Sequence, residues 1–132
     1  MNDSISATVA LTGRIALSAI FLISGIGKIV APAATLAEIE GAGLPLPLVA
    51  YATAVAIEVI GGLLLVMGYR VAWVASIFAV FSLATALAFH TNVADPNQMT
   101  HLLKNVAIAG GMLHAALFGG GRFSLDARTR RM

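Results

Sequence analysis

The sequence predicts an all-α integral membrane protein: a bundle of four transmembrane helices with both termini in the cytoplasm. Three observations predict it. The composition is 59% hydrophobic and only 11% charged, with a mean hydropathy of +0.93. Soluble domains carry roughly 25% charged residues, so the few charges here cannot cover a water-facing surface. The apolar residues fall into runs long enough to cross a bilayer, separated by Gly, Pro and charge. Lys and Arg collect on alternate connections, which orients the runs. At 132 residues a single domain over 1–132 is expected. The formal charge of +2 is small and dispersed, which argues against nucleic acid as a partner. There is no cysteine, which excludes disulfides, thiol exchange and Fe–S ligation.

The first span is expected over about residues 7–29, interrupted by Arg14 and closed by Lys28. It is read as an uncleaved span: the apolar stretch is long, and only Arg14 supplies charge near its start. Residues 30–47 form a connection in which Pro32, Gly41, Gly43, Pro45 and Pro47 break helix continuity. Thr35 to Glu40 has room for one short interfacial helical turn. The second span covers about 48–67, with Glu58 near its middle, and Gly68-Tyr69-Arg70 is a tight basic turn. The third span, 71–89, has no charge. At about 1.5 Å per residue it just crosses a ~30 Å hydrocarbon core. A polar hairpin, residues 91–100, leads to the fourth and shortest span, about 102–118, which carries Lys104, Asn105 and His114. Gly119-Gly120-Gly121 stops it, and the tail from Arg122 holds four arginines. That tail and Arg70 belong on the cytoplasmic side, and the arginine-free 30–47 and 91–100 connections on the other. The protein is therefore read as a multi-pass membrane protein.

Helical spacing gives each span a stripe of small or polar residues. Arg14, Ser18, Phe21, Gly25 and Lys28 share one arc. Tyr51, Ala54, Glu58, Gly61 and Gly62 share another; so do Ser76, Ala79, Leu83, Ala86 and His90; and so do His101, Lys104, Asn105 and Ile108. These stripes should face one another. Ionisable groups within a membrane cost roughly 2.5–3.5 kcal/mol each on insertion scales, so they bury against partners or line a cavity. Equating the depths of Ala7 and Met67 puts Arg14 and Glu58 about 4 Å apart along the bundle axis. A buried Arg14–Glu58 ion pair is expected from that, with pairing to Lys28 or proton transfer as the alternatives for Glu58. His90 and His101 close the two ends of the hairpin. Their spacing matches no metal motif, so neither a metal nor a haem is expected. A hydrogen-bonding set around a polar head group suits them better.

Several short motifs in order carry a resemblance. They are Gly13-Arg14, Ser24-Gly25-x-x-Lys28, Gly43-Leu44-Pro45, Glu58-x-x-Gly61-Gly62, His90, Gln98-x-x-His101-x-x-Lys104-Asn105 and Gly121-Arg122-x-Ser124-x-Asp126. Together the chain resembles the DoxX family over nearly its whole length. The resemblance implies a small four-helix, multi-pass protein of the bacterial inner (plasma) membrane, linked to membrane redox systems. Related proteins form part of thiosulfate:quinone oxidoreductase, or work beside superoxide dismutase and a sulfurtransferase in oxidative-stress defence. The reading that follows is an inner-membrane subunit of a redox or oxidative-stress system, with an outward-facing polar pocket for a quinone head group. Lys28, His90, His101, Lys104 and Asn105 would line that pocket. A partner protein would supply the electron carrier, since the sequence contains no evident one. The competing class is a non-enzymatic membrane scaffold or a lipid-binding module. The lipid bilayer is a partner under either reading, and both are compatible with homo-oligomers.

Overall fold

A computed structural model describes residues 2–132. Among them there are helices and no strands. Helix α1 is Asp3–Val30 and α2 is Pro32–Gly41. Helix α3 runs Pro47–Met67, with a π-turn at Ile57–Gly61. Helix α4 is Val71–Phe89, α5 is Pro96–Phe118 and α6 is Leu125–Thr129. The long helices run alternately up and down. This gives the bundle a hairpin end, with α2 and residues 90–96, and a tail end, with both chain termini.

Three helices, α1, α3 and α4, are long and apolar enough to cross a membrane. Helix α5 has 23 residues, which is sufficient length, but its polar residues leave it short of the apolarity of the other three. It also begins six residues before the expected boundary at 102. Asp95 explains the early start: its side chain accepts from the Asn97 N–H at 2.9 Å, as an N-cap ahead of Pro96. Helix α1 begins at Asp3, four residues earlier than its apolar stretch indicates. The connection after α1 is a ten-residue helix rather than one turn, started by Pro32 in its first turn.

The core is small because most apolar side chains face outward, as lipid allows. Ile23, Val30, Trp73, Leu87 and Leu117 are each at least 70% exposed. Phe21, Leu65, Val71, Val74, Ala75, Phe78, Ala79, Ala109 and Met112 form the buried cluster, with the Phe21 and Phe78 rings 4.1 Å apart. Small residues let the helices approach. A Cβ on Gly25 would lie 2.8 Å from Val59 and one on Gly62 would lie 2.7 Å from Leu22. The inward stripe of α4 is Val71, Val74, Ala75, Phe78, Ala79, Ser82 and Ala86. Ser76 and Leu83, expected on that stripe, are not buried.

Helix α3 ends on a Schellman motif. Tyr69 N–H donates to Leu64 C=O and Gly68 N–H to Leu65 C=O, with Gly68 at φ 71°, where glycine is favoured. Arg14, 2% exposed, completes this end. Its guanidinium donates to Leu65 C=O at 3.0 Å and Val66 C=O at 2.7 Å, and also to Phe123 C=O. A cation at a helix C-terminus satisfies the last carbonyls and complements the dipole. The tail docks here through Asp126, whose carboxylate accepts from Arg70 N–H at 2.7 Å and Val71 N–H at 2.9 Å. It thereby caps α4 from a distant part of the chain. Arg14 thus does not pair with Glu58, contrary to the expected ion pair. The depth argument failed because α1 starts well beyond the end of α3.

Candidate functional site

At the hairpin end two polar groups stand at one depth. The first is built on α1 and α3. Ser24 and Lys28 are one turn apart, so both side chains lean to the same side of α1. Glu58 lies in the π-turn of α3, a feature that recurs at functional positions. The Lys28 ammonium sits 3.1 Å from Glu58 Oε1 and 2.9 Å from Oε2. Only the Oε1 contact has hydrogen-bond geometry; Oε2 is buried within ion-pair reach but accepts no hydrogen bond. Lys28 also donates to Ser24 Oγ at 2.7 Å, and Ser24 Oγ donates to Glu58 Oε1 at 3.1 Å. The side chain of Glu58 is 5% exposed and that of Lys28 23%. Two of the three ammonium hydrogens are therefore engaged and the third is open. Tyr51, two turns before Glu58 on the same face of α3, donates to the Lys28 carbonyl at 3.0 Å. That carbonyl belongs to the last turn of α1 and has no partner within the helix.

The second group bridges α4 and α5. His90 follows the last residue of α4, and its Nδ1 lies 3.2 Å from Gln98 Oε1; with Nδ1 donating to that oxygen, Nε2 is the acceptor. The His90 and His101 rings stack with centroids 4.9 Å apart, 20° from parallel. Lys104 Nζ lies 3.0 Å from His101 Nδ1. Lysine donates only, so Nδ1 accepts and the His101 proton sits on Nε2. The two stacked rings each leave Nε2 free of a partner among the described residues. Lys104 is exposed, and Asn105, half-buried, makes no side-chain hydrogen bond among the described residues.

The two groups share a level because α1 and α5 are antiparallel. Leu17 contacts Gly111. Seven residues onward in α1 and seven back in α5 are Ser24 and Lys104, both about 10 Å toward the hairpin end and nearly on the original faces. The structure thus joins His90, His101 and Lys104 directly and sets Lys28 at their depth.

Sequence reasoning missed Gln98 and Ser24 as members. Gln98 precedes His101 by three residues and Ser24 precedes Lys28 by four, and those helical spacings were the available signal. His114 packs against Phe118, with the rings tilted and their centroids 4.4 Å apart, away from the cluster. Among the described residues no group of three or more His, Asp or Glu side chains is arranged to hold a metal ion. A largely apolar groove of about 260 Å³ lies between α3 and α4, lined by residues that include Ile57, Ile60, Gly61 and Phe78.

The DoxX family model matches residues 9–91, a region that holds Arg14, Lys28, Glu58 and His90 and ends before His101. Inner membrane protein YqjF of Escherichia coli is 36% identical over 119 residues, 88% of this chain and 88% of its own. Inner membrane protein YphA of the same organism is 36% identical over 123 residues, 89% of this chain and 88% of its own. No solved structure matches.

Proposed function

Because this chain belongs to the DoxX family, we propose that it is a membrane subunit of a redox or oxidative-stress system whose hairpin-end cluster holds a quinone head group. Its relatives are inner membrane proteins and three of its helices are able to span a bilayer, so it is an inner-membrane protein. Helix α5 forms a fourth span in this reading. Its polar residues face the site at the hairpin end, and α4 covers part of its length. The tail end, with its arginines, is cytoplasmic and the hairpin end faces outward. A cysteine at Asn97 should then react with an impermeant thiol reagent on intact spheroplasts, and one at Thr129 only after the membrane is opened. Labelling of Thr129→Cys on intact spheroplasts would reverse the orientation.

The stacked His90–His101 pair, each ring held through Nδ1 with Nε2 left open, carries the proposal. A quinone ring offers two carbonyl acceptors on a flat, weakly polar body. His101 Nε2–H is a donor for one carbonyl. The remaining N–H groups of Lys104 and the open N–H of Lys28 are donors for the other, and cationic donors favour the charge that builds up on reduction. His90 Nε2 is an acceptor for a hydroquinone hydroxyl. Asn105 would add an amide on the half-buried side of α5. Exposed Leu87 and Leu103, 70% and 59% accessible, lie within a turn of the two histidines and offer apolar surface to an isoprenoid tail. A bound quinone would act as a two-electron acceptor, and the redox partner protein would deliver the electrons.

Labelling by a photoactivatable quinone analogue, competed by unmodified quinone, tests this. His101→Ala should weaken labelling by up to about tenfold, since a hydrogen bond between neutral groups contributes about 0.5–1.5 kcal/mol. Lys104→Ala should do the same while the protein remains inserted. If both variants label like wild type, the scaffold reading replaces this one.

A further inference from the structure

We propose a second binding site at the tail end: a cleft between α1 and the tail that takes the phosphate of an anionic phospholipid. The cleft has a volume of about 550 Å³ and is lined by Asp3, Ser6, Ala7, Gly121, Arg122 and Arg131. Its floor is Ala7, 2% exposed. Its shape is fixed, because the tail is fastened on both sides. Phe123 C=O accepts from Arg14, and Asp126 caps α4.

The charges in this cleft are not matched. Asp126, the tail's acidic residue, directs both carboxylate oxygens to backbone N–H groups of α4. The ion pair found among the described residues is Lys28–Glu58, at the opposite end. Arg122 and Arg131 therefore stand exposed beside Asp3 alone, with no carboxylate in ion-pair reach. Two guanidiniums against one carboxylate leave a net positive site, and their planar forks suit phosphate oxygens.

Depth favours a lipid as the source of that phosphate. Arg14 meets the last turn of α3, which places it near the hydrocarbon edge. Gly121 lies against Ala10, about 6 Å beyond Arg14 along α1, within the several ångströms of the headgroup zone. Beside the cleft, Ile5, Val9 and Phe123 are 52%, 57% and 50% exposed. That combination of basic groups and bare apolar surface at one level matches a headgroup and its acyl chains rather than a free anion.

The full-length chain in detergent, analysed by native mass spectrometry, tests the site with three probes: phosphatidylglycerol, phosphatidylcholine and inorganic phosphate. Wild type should retain phosphatidylglycerol over phosphatidylcholine. The double variant Arg122→Gln/Arg131→Gln should lose about thirtyfold in that preference, on the scale of about fivefold per basic residue. Both arginine side chains are exposed and make no hydrogen bond among the described residues, so its melting temperature should equal that of wild type. The double variant Arg128→Gln/Arg130→Gln, outside the cleft, should keep the preference. Equal loss in both double variants, unchanged retention in the first, or equal retention of the two lipids would overturn the proposal. Displacement of phosphatidylglycerol by millimolar phosphate would assign the cleft to a free anion instead.

Discussion

Lys28→Met alone is expected to destabilise the protein in detergent by about 3–5 kcal/mol, whereas Lys28→Met with Glu58→Leu should be close to neutral. Removing one partner of a buried pair leaves an uncompensated charge; removing both removes the desolvation cost as well. The two single variants should differ. Glu58 is 4% exposed and, without Lys28, keeps only the Ser24 hydroxyl as a donor. The Lys28 side chain is 23% exposed and, without Glu58, can extend its ammonium toward water. Glu58→Leu should therefore cost less, about 1–2 kcal/mol. Thermal unfolding of the two singles and the double measures the coupling. An additive Lys28–Glu58 cycle would mean that the pair contributes nothing specific. A parallel cycle of Arg14→Met with Glu58→Leu should be additive within about 0.5 kcal/mol, because those residues share no partner.

The second large effect is expected at Arg14. Arg14→Met leaves Val66 C=O and Phe123 C=O without the donor that now serves them, and each stranded acceptor costs about 1–3 kcal/mol. A loss of about 3 kcal/mol or more follows, with a signature that a general core defect would lack: the tail should detach first. Trypsin should cut after Arg122 or Arg128 in the variant under conditions where wild type is protected. Arg14→Lys should recover only part of the loss, since an ammonium cannot span carbonyls on two segments as the planar fork does. Unchanged tail protection in Arg14→Met would show that Asp126 alone holds the tail.

The legibility of each feature in the sequence follows from what set it. Helix α4 could be outlined from hydropathy because its 19 residues carry no charge, and burial in lipid is itself the cause of that pattern. The start of α5 was hidden because Asn97, Gln98 and His101 look like loop residues to a hydropathy reading. The Asp95-Pro96 pair, an N-cap and a first-turn proline, was the better signal there. The partners of Arg14 and Glu58 were not legible because they depend on the stagger of α1 against α3. Ala7 and Met67 were taken as level. Val59 lies against Gly25, which is eighteen residues beyond Ala7, while Val59 is only eight before Met67. The stagger amounts to roughly 15 Å, which carries Glu58 past Arg14 to Lys28. Helical periodicity fixes which face a residue occupies, but not its level against a neighbouring helix. The same limit hid the tail. Asp126 caps a helix fifty-five residues earlier in the chain, and no local pattern reports a cap supplied from that distance. Within the candidate site, His90, His101 and Lys104 could be singled out because polar and charged residues are few in so apolar a chain. The stacking of the two rings needed the α4–α5 register.

Native mass spectrometry of the protein extracted from its own membrane tests the central claim most directly, because it reports retained small molecules by mass. The proposed site predicts a quinone adduct at one per chain in wild type and its loss in His101→Ala, with both proteins folded and inserted. Wild type that carries no quinone, even after incubation with excess quinone, would contradict the claim and leave the hairpin-end cluster as a structural element of a membrane scaffold.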